Sequence, residues 1–172
     1  MSRIIFVLGG IRSGKSLFAI KAAKERSKRK SVTYIATGLT TDKEMEARIS
    51  AHKKSRPDGW QTIEEPTELE GAISQLKHRV VIVDCINFWV NNLLTKKYTQ
   101  QKILSTIEAV LNLIRQKNIV VILVSNEVGL SLVAPYKSGR LFQETLGKVN
   151  QTISSYADEV YFIVSGIAMK LK

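Results

Sequence analysis

The 172 residues of the chain include 44% hydrophobic and 24% charged residues, which are ordinary values for a globular protein. We expect a single domain over residues 1–172, long enough to bury its own core. No apolar run reaches the length of about 18 residues that a membrane-spanning helix needs. The N-terminus does not resemble a secretory signal, and the single cysteine, Cys85, excludes an internal disulfide. The sequence therefore predicts a cytoplasmic protein without a transmembrane segment.

The formal net charge of +11 raises the question of a polyanionic partner. Six basic residues and one acidic residue fall within residues 21–30. We assign this cluster mainly to the solvated face and C-terminal end of the first predicted helix, where cations favour the helix dipole. Aromatic residues make up only 7%, without the basic–aromatic interleaving of a nucleic-acid stacking surface. The charge therefore fits small polyanionic ligands at least as well as DNA or RNA, and we predict no nucleic-acid partner.

The first chemical motif lies between an apolar strand-like run at residues 4–8 and a helix-like run at residues 17–20. It matches the P-loop pattern G-x-x-x-x-G-K-[ST] and comprises Gly9, Gly10, Ile11, Arg12, Ser13, Gly14, Lys15 and Ser16. The glycines would let backbone N–H groups close around phosphate oxygens. Lys15 would reach the β- and γ-phosphates, and the Ser16 hydroxyl would ligate Mg²⁺. A chance glycine-rich turn is the alternative, which the strand–loop–helix context disfavours.

The remaining elements alternate between strand-like and helix-like patterns. Further strands are predicted at residues 32–36, 79–84, 119–124, 159–164 and 167–171. Further helices are predicted at residues 42–55, from 66 onward, at 87–95, 99–117 and 140–157, with an irregular segment at 128–139. Thr67 is the predicted N-cap of the short helix, with Glu70 as its capping-box partner. This alternation predicts an α/β fold with a mainly parallel sheet, helices on both faces and a C-terminal antiparallel hairpin.

A carboxylate ends the strand predicted at residues 79–84. Asp84 there is a candidate to help hold the Mg²⁺ that bridges nucleotide phosphates. The alternative is an aspartate that merely caps the following turn, and the P-loop favours the metal role. Its neighbour Cys85 is expected to be a small buried side chain.

A basic helix face surrounds one histidine. Arg48, His52 and Arg56 are spaced by four residues on the predicted helix that Pro57 ends, so they share a face. Nearby cations would attract phosphate and lower the pKa of His52, which favours the neutral, nucleophilic imidazole. From spacing alone, an ordinary exposed histidine on a basic surface helix is the preferred interpretation.

Eight segments together resemble the bifunctional adenosylcobinamide kinase/adenosylcobinamide-phosphate guanylyltransferase family of cobalamin biosynthesis. They cover almost the whole chain: GGIRSGKS, YIATG, DKEMEARISAHKKSRPDGW, TIEEP, VDCINFWVNNLL, VSNEVGLSLV, GRLFQETLGKVNQ and SGIAMKLK. The P-loop is widespread among nucleotide-binding proteins, whereas the histidine segment joined to the later segments is particular to this family. The resemblance implies a RecA-like P-loop fold and a homotrimer.

The resemblance also implies roles for individual residues. His52, in RIxxHxxxRPxxW, matches the histidine that takes GMP from GTP as a covalent phosphoramidate, so this role becomes the preferred one. The P-loop matches the triphosphate site, and Asp84 matches the acid after the second core strand. Further nucleotide-binding positions are implied at Ala36, Thr37, Gly38, Lys53, Lys54, Ser55, Arg56 and Glu64. The chain departs from the family at Ile11, where alanine is usual, and in an atypical proline-containing loop at residues 134–138.

The implied function is a two-step transfer. ATP or GTP would phosphorylate the aminopropanol hydroxyl of adenosylcobinamide, and GMP from GTP would then pass to adenosylcobinamide phosphate to give adenosyl-GDP-cobinamide. The kinase base stays open between Glu127 and Asp84. Alternative functions are a P-loop kinase of another small molecule, a RecA-like nucleic-acid-dependent ATPase, and a guanylyltransferase whose kinase half has decayed.

Overall fold

The computed structural model describes residues 2–27, 31–39 and 57–172. Its strands are β1 (Arg3–Gly9), β2 (Val32–Ala36), β3 (Gln61–Glu64), β4 (Val80–Asp84), β5 (Val120–Asn126), β6 (Glu159–Val164) and β7 (Ile167–Lys170). The helices within these ranges are α1 (Lys15–Arg26), α2 (Leu69–Ser74), α3 (Ile86–Thr95), α4 (Gln100–Gln116) and α5 (Lys137–Tyr156). None of the described helices is long and apolar enough to cross a membrane.

The strands form one seven-stranded sheet in the order β3-β2-β4-β5-β1-β6-β7. Every neighbouring pair is parallel except β6 and β7, which form an antiparallel hairpin. The central strands are continuous apolar runs because helices cover both faces of the sheet. Helix α1 covers one face, and α2 to α5 pack against the other. The predicted fold, a mainly parallel sheet with helices on both faces and a C-terminal hairpin, is confirmed.

The register of the parallel strands brings their carboxyl ends to one edge of the sheet. Gly9 pairs with Asn126, and Val124 pairs with Asp84. Ala36 pairs with Asp84 on one side and with Glu64 on the other. The loop after β1, the carboxylate that ends β4 and the ends of β2 and β3 therefore share this edge.

The start of α2 differs from its prediction. The helix begins at Leu69 with Glu68 as its N-cap, without a side-chain capping bond, so the assignment of Thr67 as N-cap and Glu70 as capping-box partner is wrong. The carboxylate of Glu65 accepts hydrogen bonds from the backbone N–H groups of Thr67 and Glu68, at 2.9 and 2.8 Å. A side chain upstream of the expected cap therefore stabilises the turn into the helix.

One strand was not predicted, and one helix begins earlier than predicted. The sequence did not predict β3, an edge strand with three exposed side chains that lacks an apolar alternation. Helix α5 begins at Lys137, three residues before the predicted start. The helix predicted at residues 42–55 lies outside the described residues. The predicted hairpin turn is confirmed, with positive φ at Ser165 and Gly166, as a two-residue type I′ turn requires.

Asp158 connects three elements at the opposite edge of the sheet. Its carboxylate accepts hydrogen bonds from the backbone N–H of Ile4 in β1, at 2.7 Å, and from the guanidinium of Arg115 in α4. Burial raises the pKa of this carboxyl group, but the hydrogen bonds to Ile4 and Arg115 outweigh burial and lower the pKa overall. The ionised carboxylate therefore stabilises the folded chain above the pKa of an unfolded aspartate, and this contribution is lost as pH falls through the lower folded pKa.

We predict that Asp158→Asn lowers the free energy of unfolding at neutral pH, because the variant loses the charge-assisted bonds. The difference from wild type should shrink as pH falls below the pKa of an unfolded aspartate and through the lower folded pKa, because the wild-type carboxyl group then also loses its charge. Urea titrations across this range measure both curves. A difference that stays constant with pH would contradict the assignment.

Candidate nucleotide-binding site

The loop between β1 and α1 has the backbone conformation of a closed turn. β1 ends at Gly9, and α1 begins at Lys15 with Gly14 as its N-cap, at φ 101° and ψ 7°. Arg12 also lies in the left-handed region, at φ 56°. The loop is closed by hydrogen bonds from Ser13 N–H to Gly10 O, at 3.3 Å, and from Phe18 N–H to Gly14 O, at 3.0 Å. The N-terminus of α1 consequently opens onto this loop, which is the arrangement that attracts anions.

The loop packs directly against the β6–β7 hairpin at Gly9 and Gly14, whereas nothing lies within 4 Å of a Cβ added to Gly10. A Cβ added to Gly9 would lie 2.4 Å from the carbonyl oxygen of Ile163, and one added to Gly14 would lie 3.3 Å from Cα of Gly166. The N–H of Gly166 donates to Ser13 O at 2.8 Å. The hairpin turn thus supports the loop from behind, a contact that the sequence did not predict.

Lys15 points back into the loop. It is buried, and its Nζ donates to Gly10 O at 2.5 Å. Burial lowers the pKa of the Lys15 ammonium, while the negative charge of Asp84 acts in the opposite direction. The Lys15 ammonium group therefore lies inside the loop, within electrostatic reach of the Asp84 carboxylate at the end of β4.

The other loop side chains differ in their exposure. Ile11 and Arg12 are exposed, so they belong to the loop through their backbone, and Ser16 is partly exposed in the first turn of α1. Ser13 is buried, and its Oγ has no hydrogen-bond partner among the described residues. This Oγ lies beside Gly9, on the side where the Ile163 carbonyl packs.

Asp84 lies on the face of the sheet that α1 covers. Its register partner on β2 is Ala36, and the hydroxyl of Tyr34 donates to Asp84 Oδ2 at 2.5 Å. The following residue, Cys85, is buried as predicted, and burial raises the pKa of its thiol. Because the Cys85 thiol is neutral, the negative charge that acts on Lys15 comes from Asp84.

The predicted nucleotide-binding positions after β2 have different environments. The Thr37 side chain is buried, where its hydroxyl donates to Cys85 O at 2.6 Å and accepts from Cys85 N–H at 2.9 Å. Asn92 donates to Thr37 O at 2.8 Å. Ala36 and Gly38 are partly exposed at the same edge. The Thr37 side chain therefore fixes the turn after β4, between the partly exposed residues Ala36 and Gly38.

The remaining predicted positions are either separate or outside the described range. Glu64 ends β3 with an exposed side chain, next to Ala36 at the far side of β2 from β4. Lys53, Lys54, Ser55, Arg56 and the proposed nucleophile His52 lie outside the described residues, as does Arg48. Glu127, one of the two candidate bases, donates its N–H to Gly9 O at 3.1 Å, and its carboxylate accepts from Gly129 N–H.

Two contributors to this edge were missed from the sequence. The sequence predicts Tyr34 as part of a strand, two residues before Ala36 and on the same face, but no motif connects its hydroxyl with Asp84. Gly166 was assigned to the hairpin turn, and no local pattern connects that turn to a loop near the start of the chain. Both contacts depend on tertiary structure.

The donor set at this edge fits a hard divalent cation held together with nucleotide phosphates. Asp84 supplies a carboxylate and Ser16 a hydroxyl, both oxygen donors that Mg²⁺ prefers. Within residues 2–27, 31–39 and 57–172, no three His, Cys, Asp or Glu side chains cluster as an all-protein metal site. Mg²⁺ is commonly bound through one or two carboxylates plus substrate phosphates.

Comparison with known proteins gives the family. Residues 5–171 match the protein family described as cobinamide kinase / cobinamide phosphate guanyltransferase. This chain belongs to that family. The resemblance stated from the sequence segments is thereby confirmed.

Two relatives in this family match along nearly their whole length. The bifunctional adenosylcobalamin biosynthesis protein CobP of Pseudomonas aeruginosa is 37% identical over 168 residues, covering 96% of this chain and 95% of the relative. The bifunctional adenosylcobalamin biosynthesis protein CobU of Escherichia coli is 34% identical over 183 residues, covering 98% of this chain and 99% of the relative.

Solved structures with low sequence identity share the fold. The flagellar accessory protein FlaH from Methanocaldococcus jannaschii aligns with a TM-score of 0.56 at 16% identity, covering 99% of this chain and 78% of its own. A KaiC-like protein from Pyrococcus horikoshii aligns with a TM-score of 0.53 at 11% identity, covering 93% of this chain and 70% of its own. The predicted RecA-like P-loop fold is confirmed, and at this identity the likeness shows the fold alone.

We predict that Gly9→Ala destabilises the protein by about 1–3 kcal/mol, because its methyl group meets backbone rather than a movable side chain. Nucleotide affinity should fall in parallel, since the loop must shift. Gly147→Ala is the control: nothing lies within 4 Å of its added Cβ in α5, and alanine should stabilise the helix by about 0.5–1 kcal/mol. Thermal unfolding and nucleotide titration measure both; wild-type stability and affinity in Gly9→Ala would contradict the packing described.

Proposed function

We propose that the protein is a bifunctional transferase, an adenosylcobinamide kinase and an adenosylcobinamide-phosphate guanylyltransferase. The observation that carries the proposal is the family match over residues 5–171, joined to a closed P-loop with Lys15 and Asp84 at the same edge of the sheet. The substrates would be adenosylcobinamide, adenosylcobinamide phosphate, GTP and ATP. The protein would act in the cytoplasm as a homotrimer built from one nucleotide-binding domain per chain.

The first reaction transfers the terminal phosphoryl group of ATP or GTP to the aminopropanol hydroxyl. The loop amides and Lys15 would hold the β- and γ-phosphates, replacing the Gly10 carbonyl that Lys15 now contacts. Mg²⁺, held by Ser16 and Asp84, would supply charge neutralisation on the phosphates. Positioning and electrostatic stabilisation then account for most of the catalysis.

The second reaction uses His52 as a nucleophile. Its neutral imidazole nitrogen attacks the α-phosphorus of GTP, a P–N bond forms, and the bond to pyrophosphate breaks. A phosphate oxygen of adenosylcobinamide phosphate then attacks the same phosphorus, and the P–N bond breaks to free His52. Arg48 and Arg56, which share a face with His52 on the helix predicted from the sequence, would hold phosphate oxygens.

The family resemblance supports further nucleotide contacts. The proposed positions are the P-loop residues, Ala36 at the end of β2, Thr37 and Gly38 after it, the segment Lys53, Lys54, Ser55 and Arg56, and Glu64 and Asp84. The hydroxyl, the N–H and the carbonyl oxygen of Thr37 are bonded to Cys85, Asp84 and Asn92. Thr37 would therefore act there by fixing the backbone beside Ala36 and Gly38.

Two alternatives would give different products. A P-loop kinase of another small molecule would leave cobinamide unchanged, and a nucleic-acid-dependent ATPase would hydrolyse ATP faster with DNA or RNA, with steep salt dependence. Incubation with GTP, Mg²⁺ and cobinamide, followed by mass identification of the corrinoids, separates them. We expect cobinamide phosphate and GDP-cobinamide; unchanged cobinamide would contradict the proposal.

We predict that His52→Ala abolishes GMP transfer and leaves much of the kinase activity, because only the second reaction forms a bond to this imidazole. Wild-type protein incubated with α-labelled GTP should carry a label that is labile to acid and stable to base. An unlabelled wild-type protein would exclude the covalent intermediate.

We predict that Lys15→Ala slows both reactions, since the same loop holds the triphosphate in each. Removing one preorganised phosphate donor typically costs about 100-fold or more in rate. Rates of cobinamide phosphorylation and of GMP transfer to cobinamide phosphate are measured separately. GMP transfer at the wild-type rate in this variant would show that the two reactions use different triphosphate sites.

A further inference from the structure

We propose that Tyr34 is a positioning residue of the phosphate site. Its hydroxyl holds Oδ2 of Asp84 and leaves Oδ1 as the oxygen available to a divalent cation on the bound phosphates. This inference rests on the proposed nucleotide and Mg²⁺ site, and it adds a residue to which neither the sequence motifs nor the family resemblance gave a role.

The contact is formed by two adjacent strands. Tyr34 in β2 is 2% exposed, and its hydroxyl donates to Asp84 Oδ2 at 2.5 Å. In the parallel register Tyr34 pairs with Ile82, and Ala36 pairs with Asp84. The tyrosine therefore lies one pleat below the carboxylate on the face that α1 covers, and its hydroxyl reaches up to the strand end.

The chemistry of the donor distinguishes this contact from an ion pair. A phenol hydroxyl donates a hydrogen bond without a formal charge, so Asp84 keeps the negative charge that a cation needs. A lysine or arginine in the same place would compete with the cation for that charge. Donors of this kind, which orient a metal-binding carboxylate from behind, typically affect metal affinity about 10- to 100-fold.

Strand β2 and the turn after it also fix the backbone that carries Asp84. The Thr37 hydroxyl bonds to both the N–H and the carbonyl oxygen of Cys85, directly after the carboxylate. Tyr34 thus orients the Asp84 side chain, while the backbone after Asp84 is fixed by Thr37. We therefore expect loss of the Tyr34 hydroxyl to release the Asp84 carboxylate and to leave the strand in place.

The chain offers a matched control at the other edge of the sheet. The hydroxyl of Tyr161 donates to Glu159 Oε2 at 2.6 Å, the same type of bond in a partly buried place. Glu159 begins β6, away from the P-loop, and is paired with Arg3 and Arg26. Its charge is already compensated, so Tyr161→Phe tests loss of a tyrosine–carboxylate bond without the phosphate site.

The experiment compares wild type, Tyr34→Phe and Tyr161→Phe in complex with a non-hydrolysable GTP analogue. Mn²⁺, which accepts the same oxygen ligands as Mg²⁺, is titrated by electron paramagnetic resonance. Affinity for the analogue is measured separately in excess EDTA. We expect Tyr34→Phe to weaken Mn²⁺ binding about tenfold or more and to keep the metal-free analogue affinity, and Tyr161→Phe to change neither.

Equal Mn²⁺ affinity in Tyr34→Phe and wild type would overturn the inference. A parallel loss of metal-free analogue affinity in Tyr34→Phe would also overturn it, because the hydroxyl would then support the fold and not the carboxylate. Wild-type protein that binds no Mn²⁺ with the analogue would overturn both the inference and the proposed metal site. Intact Mn²⁺ binding without corrinoid products would instead contradict only the proposed reactions.

Discussion

Parallel pairing of β1, β5 and β4 is the constraint on which the phosphate site depends. The P-loop follows β1 and Asp84 ends β4, and both strands pair with β5, so one strand separates them. Two strand spacings amount to about 10 Å, and across this gap the charge of Asp84 acts on the buried Lys15 ammonium group. The register of the strands therefore brings the Lys15 ammonium group, the N-terminus of α1 and the Asp84 carboxylate to the same edge of the sheet.

The two ends of the chain cooperate at this edge. The P-loop needs glycine at Gly9 because the Ile163 carbonyl lies behind it, and Gly14 and Gly166 approach each other where the hairpin turn supports the loop. From the other side, Tyr34 in β2 and Thr37 after it support Asp84 and the turn that follows it. The phosphate site is thus held between a late hairpin and an early strand, and both supports act through backbone or neutral hydroxyl groups.

Motif spacing and apolar runs in the sequence predicted those parts of the structure that depend on neighbouring residues. The P-loop and the buried strands followed from motif spacing and apolar runs, while β3 was missed because an exposed edge strand has no apolar periodicity. The predicted N-cap of α2 was wrong because the carboxylate of Glu65, a residue outside the capping pattern, accepts the hydrogen bonds of the backbone N–H groups before the helix. Tyr34 and Gly166 could not be connected to the site, since their contacts cross strands. The role of His52 stays a prediction that the family resemblance carries.

We propose that Lys15 receives the phosphates, and Asp84 the cation, of a bound nucleotide. The most direct measurement is a crystal structure with Mg²⁺ and a non-hydrolysable GTP analogue. We expect Lys15 Nζ to leave the Gly10 carbonyl for the β- and γ-phosphates and Asp84 to bind the cation. A nucleotide bound elsewhere, with Lys15 still on Gly10, would contradict it.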